Sequence, residues 1–141
     1  MLAEQRRLRR LRRLEQVRAI AKQAAAQEAA LAEGTLAQLQ ALAARTQLMA
    51  QDYQTHAGPS DGHTLRQHAL FVSGLSGISA VTSRDAAQAQ GVADRKLDAL
   101  ALAERRRAAV EERAVAGTRA LAQRRILAPL DARRAVGTGL E

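Results

Sequence analysis

Cysteine and tryptophan are absent, and the chain of 141 residues holds one Phe (Phe71) and one Tyr (Tyr53). Without cysteine there can be no disulfide, thiolate metal site or cysteine nucleophile. Aromatic rings supply much of the area in a globular core, so their scarcity argues against a thick, many-layered interior. Proline occurs twice, at Pro59 and Pro129. Runs of alternating β-branched residues are missing, which leaves no strand signal. No stretch approaches the roughly 20 apolar residues of a transmembrane helix. The basic N-terminus is followed by no apolar signal-peptide core, and Glu4 and Glu15 interrupt its arginines.

Helix formers are abundant. There are 33 alanines, Leu is the main large apolar residue, and Arg, Gln and Glu fill most other positions. This composition with helical periodicity marks long helices or coiled coils. The strongest punctuation is Gly58-Pro59-Ser60-Asp61-Gly62, a turn cluster that no helix continues through. The expectation is an all-α chain whose two long helices form an antiparallel coiled-coil hairpin. Helix 1 spans about 3–54, the turn 55–63 and helix 2 about 64–128, with a flexible tail over 129–141. A helix of about 50 residues would be roughly 75 Å long.

One apolar stripe per helix carries this expectation. In the first helix it runs Ile20, Ala24, Leu31, Thr35, Leu39, Leu42, Thr46, Met49 and Tyr53, extended upstream by Leu8, Leu11, Leu14 and Val17. In the second it runs Leu65, Val72, Leu75, Ser79, Thr82, Ala86, Ala89, Ala93, Leu97, Leu100, Val110, Ala114 and Leu121. A single stripe needs a single partner helix. Small residues on the stripes and several helix-interior glycines predict a marginal, pliable hairpin.

Charge is unevenly spread. Residues 1–22 carry +6, residues 101–141 carry +4, and the stretch between them carries −2. An antiparallel hairpin gathers both basic ends. The residues assigned to that basic end are Arg6, Arg7, Arg9, Arg10, Arg12 and Arg13 from the first segment, with Arg105, Arg106 and Arg113 from the second. Such a cluster suits phosphates, anionic lipid or an acidic protein surface, or it is simply a solvated face. Nucleic acid is the weaker partner, because lysine is scarce and no aromatic stacking platform exists.

Nothing points to catalysis, a cofactor or a metal. His56, His63 and His68 do not align on one helical face, and no phosphate loop or nucleophile motif occurs. Phe71, Leu75 and Ile78 do share a face at i, i+4 and i+7. That spacing serves either internal packing against Met49 and Tyr53 or a helix-face anchor for a partner.

The two-helix plan, the loop position and the run Ala93-Asp94-Arg95-Lys96-Leu97-Asp98-Ala99-Leu100-Ala101-Leu102-Ala103-Glu104-Arg105-Arg106 resemble the flagellar type III export protein FliJ family over about residues 1–127. Stalk proteins of virulence export systems are its cousins. The resemblance implies a non-catalytic, cytoplasmic stalk and escort chaperone that links the hexameric export ATPase to the cytoplasmic domain of the export gate. It also implies peripheral association with the inner membrane through the export apparatus. The family's gate-contacting face has the form Phe-x-x-x-Leu-x-x-small-x-x-x-His. Phe71 and Leu75 match it, Ile78 stands at the small position and Thr82 stands in place of the His. The arginine-rich end would meet the ATPase. Two alternatives use the same sequence: a basic coiled coil that binds nucleic acid or anionic membrane, and a purely structural coiled-coil oligomer.

Overall fold

The computed structural model describes residues 1–55 and 61–137, the last seven by backbone alone. Two helices make up the fold, α1 (Leu2–Thr55) and α2 (Gly62–Gly137). No strand occurs among the described residues. The helices pack against each other as an antiparallel, all-α hairpin. His56 and the Gly58-Pro59-Ser60 part of the expected turn lie outside the described residues.

Both ends of α2 differ from expectation. The helix begins at Gly62 rather than near 64, because Asp61 acts as a helix start and not only as part of a turn. The Asp61 carboxylate accepts the Thr64 N–H at 2.7 Å, and the Asp61 carbonyl accepts the Leu65 N–H at 3.1 Å. Aspartate is a favoured N-cap for this reason. Nor does α2 stop at 128: it runs through Pro129 to Gly137. Proline removes one backbone donor and costs about 3 kcal/mol in a helix interior. Here strong helix formers (Leu127, Ala128, Leu130, Ala132) flank it and carry the helix on. Of the tail expected at 129–141, only residues 138–141 lie outside the described residues.

The chain divides into two compact units, Met1–Ala24 with Leu100–Glu141 (unit 1) and Ala25–Ala99 (unit 2). In unit 2 the covered positions of α1 are Ala25, Ala29, Ala32, Leu36, Leu39, Ala43, Thr46 and Ala50, with Ala26 at the edge. Those of α2 are His68, Val72, Leu75, Ser79, Thr82, Ala86, Ala89, Ala93 and Lys96, with Gly91 at the edge. Both series alternate steps of three and four, the spacing of a heptad seam. At its centre Leu36, Ala89 and Ala93 form a small core against Ala32 and Leu39. Alanine on both sides lets the helices approach closely, with little area buried per layer. The buried hydroxyls of Thr46 and Thr82 donate back to the carbonyls of Leu42 and Ile78, at 2.8 and 3.0 Å, which leaves neither unsatisfied.

Unit 1 uses the same spacing with different chemistry. Its seam is Glu4, Leu8, Leu11, Glu15, Arg18 and Lys22 against Leu100, Ala103, Arg107, Val110, Ala114, Gly117 and Leu121. Leu8 reaches to within 3.5 Å of where a side chain on Gly117 would begin.

The α2 stripe read from sequence coincides with this seam except at Leu65 and Leu97, which are exposed. The α1 stripe does not. Leu8, Leu11, Leu39 and Thr46 lie on the seam, but Leu14, Val17, Ile20, Leu31, Leu42 and Met49 are exposed, Ile20 at 67% and Leu31 at 74%. The helix carries two stripes roughly 100° apart, and the one built of small residues is the one that pairs.

Gly34 sits in the exposed middle of α1, and a Cβ built on it meets nothing within 4 Å. Gly34→Ala is therefore expected to stabilise the hairpin by about 1 kcal/mol. A chemical-denaturation midpoint that fails to rise would show that this part of α1 needs glycine.

Candidate protein-binding surfaces

Lettering the seam by heptad places position a at Ala29, Leu36, Ala43 and Ala50 in α1 of unit 2, and at Val72, Ser79, Ala86 and Ala93 in α2. Residues just before a (position g) border the seam on one side. Residues just after d (position e) border it on the other. In an antiparallel pair a two-fold axis relates the helices, so like letters share a flank.

The two flanks of unit 2 differ sharply. The g flank presents Glu28, Thr35, Leu42 and Met49 with Phe71, Ile78, Asp85 and Val92. The e flank presents Ala26, Glu33, Gln40, Gln47 and Gln54 with Ala69, Ser76, Ser83, Gln90 and the exposed Leu97, so polar residues dominate it. One side is largely apolar and the other is polar. On the apolar side the ring of Tyr53 meets Phe71 edge-on at 4.7 Å between centroids, a favourable aromatic geometry. Tyr53 also lies 6.2 Å from the His68 ring. Phe71 nevertheless stays 47% exposed and Ile78 54%. Phe71 thus packs on Tyr53 and still keeps part of its ring exposed.

The four residues expected to form one contact face therefore separate. Phe71 and Ile78 are on the open flank, whereas Leu75 and Thr82 are buried in the seam. The i, i+4, i+7 spacing straddles the boundary between g and d, and the small α1 seam opposite draws Leu75 inward. The residues that sequence reasoning misplaced are Leu42 and Met49, assigned to the seam but exposed on the flank beside Phe71 and Ile78. The strict three-four spacing from Ala25 to Ala50, filled by five alanines with Leu36, Leu39 and Thr46, is the signal that would have moved them.

All nine expected arginines are exposed and belong to unit 1. They do not form one patch. Arg7, Arg10, Arg106 and Arg113 occupy g and c positions, while Arg9 and Arg12 face the other flank. Arg6, Arg13 and Arg105 point directly away from the seam.

Arg107, outside that expected group, is held within the seam by Glu104 and Glu111 at 3.2 and 3.0 Å. Lys22 closes on Glu104 at 2.6 Å. Hydrogen bonds from Arg107 and then Lys22 push the Glu104 carboxyl down to about 2, and Glu104 in turn raises the Arg107 guanidinium. Glu4 pairs with Arg124 in the same unit. In unit 2 Lys96 donates to Glu28 at 2.8 Å, which lowers the Glu28 carboxyl.

His63 is exposed on α2, and His68 lies on its seam with Nε2 buried and unpaired. Among the described residues no three His, Asp or Glu side chains gather where a metal could sit. No helix among them is long and apolar enough to cross a membrane. No protein-family model, curated protein or solved structure matches the chain.

Proposed function

We propose that the chain is a non-catalytic, protein-binding hairpin of type III export, a stalk and escort that links the export ATPase to the cytoplasmic domain of the export gate. The observation that carries protein binding is the inequality of the two flanks of unit 2. A helix face with nothing to bind has no reason to expose Leu42, Met49, Phe71 and Ile78 together while its opposite flank is polar. The export assignment rests on the FliJ-family resemblance, and the arginine-bearing unit is the side that would meet the ATPase.

The test separates interface from core. Phe71→Ala with Ile78→Ala removes about half-exposed side chains, so circular dichroism should remain helical. Affinity for the gate domain should fall by about tenfold or more, the usual cost of losing two central anchors. Leu75→Ala should instead cost about 2–3 kcal/mol of stability, because that side chain is buried. Undiminished gate binding by the double variant would sink this reading. If the wild-type chain ignores the gate domain but binds duplex DNA or phosphatidylserine vesicles with a steep salt dependence, the basic coiled-coil alternative replaces it.

A further inference from the structure

The g flank of unit 1 combines two properties seldom found together. It mixes apolar side chains with cations, and the one carboxylate lining its groove, Glu4, is paired with Arg124. From α1 it presents Arg7, Arg10, Leu14 and Val17, and from α2 Leu102, Arg106, Arg113, Ala116 and Ala120. None of its g or c positions is acidic. Glu104 and Glu111 stand on the opposite flank, occupied by Arg107 and Lys22.

The flank is also hollow. Gly117 has no side chain, and Ala116 and Ala120 are small, so a groove of about 500 Å³ opens beside the seam. Half-buried Leu8, Leu11 and Leu121 form its floor, and Arg7 and Arg113 stand on its two walls. Arg124, tied to Glu4, closes one end.

We infer that this groove docks an acidic amphipathic helix of a partner protein. The partner's apolar side chains would enter the trough, and its carboxylates would meet Arg7, Arg106 and Arg113. Arg106 and Arg113 are one heptad apart, about 10.5 Å along a helix, which matches acidic residues at i and i+7 on a helix laid parallel to the hairpin. The two arginine walls supply charge-assisted bonds to carboxylates. A recessed floor is out of reach of a flat bilayer, and a nucleic acid backbone has no apolar group to place there. This inference rests on the protein-adaptor reading and adds the chemistry of the partner.

The test uses the full chain and a synthetic helix of about three heptads, with Leu at a and d and Glu at the flanking positions. At about 0.15 M salt this peptide should bind saturably. Binding should weaken about tenfold or more in Arg106→Glu with Arg113→Glu, and likewise in Ala120→Trp, which fills the trough without changing charge. All three positions are exposed, and circular dichroism checks that both variants remain helical. The milder pair Arg106→Gln and Arg113→Gln serves if the charge reversal unfolds the hairpin.

Equal binding of a scrambled peptide of the same charge would overturn the inference, as would full binding by Ala120→Trp. Phosphatidylserine vesicles bound with the same dependence on both variants would also overturn it, in favour of a lipid surface. Gate-domain binding is measured on the same samples. A wild-type chain that binds the gate domain but not the peptide removes the groove alone, whereas one that binds the peptide but not the gate domain removes the export assignment.

Discussion

Ala93→Glu should abolish cooperative folding of unit 2. Ala93 is 1% exposed and packs in the cluster of Leu36 and Ala89. A glutamate there must either lose its hydration without a partner or force the helices apart. An unpaired buried charge typically costs about 3–5 kcal/mol, against the total of about 5–15 kcal/mol available to a small domain. Its packed neighbours are Ala32, Leu36, Leu39 and Ala89, none of which can receive a carboxylate. Ala93→Leu provides the graded comparison. It adds volume without charge and should cost about 1–3 kcal/mol by overpacking. Thermal melts followed by circular dichroism distinguish the two: a lowered but cooperative transition for Leu, and a broad, sloping loss of helix for Glu. Wild-type stability in both variants would mean that the alanine seam is not where the helices meet.

Acidification should destabilise the hairpin within a defined window. The Glu104 carboxyl lies at about 2 in the folded chain against an ordinary 4.5. A depressed carboxyl contributes stability that is complete above its unfolded value and disappears as pH falls toward its folded value. The loss should therefore run from pH about 4.5 down to about 2. Glu28, lowered by Lys96, and Asp61, lowered by its bond from Thr64, change in the same direction. Protonation also removes every counter-charge while all 22 Lys and Arg side chains stay cationic, and self-repulsion then opposes the close approach of the helices. The melting temperature measured at steps from pH 7 to pH 2 should drop most steeply inside that window. Glu104→Gln should flatten part of the drop. A melting temperature constant down to pH 2 would refute the role given to these pairs.

The architecture was legible because composition and punctuation agree: a chain of helix formers broken once by Gly-Pro has few other solutions. The α2 seam was legible for a further reason. Val72, Leu75, Leu100, Val110 and Leu121 are both its largest apolar residues and its buried or half-buried ones, so size and position give the same answer. In α1 they give opposite answers. Ile20, Leu31, Leu42 and Met49 draw the eye to one stripe, while Ala25, Ala29, Ala32, Ala43 and Ala50 make the contact. Hydrophobicity ranks a leucine above an alanine. Packing at close interhelical distance ranks them the other way, and only the opposing helix decides which rule governs. The candidate face split for the same reason: Phe71 and Leu75 share a stripe in sequence, but the seam boundary runs between them.

The polar residues in these seams have an effect distinct from holding the helices together. Small residues fill much of the unit 2 seam, so outside Leu36, Leu39, Val72 and Leu75 a slip of seven residues changes its apolar packing little. Glu28 breaks that degeneracy. It faces Lys96 in the observed alignment, and a slip of one heptad would set it against Ala103 or Ala89 instead. Single polar positions fix register in this way, even where they add little to stability. The ion pairs act as the teeth of a vernier, and a hairpin with so smooth a seam needs them to keep α1 and α2 in one alignment.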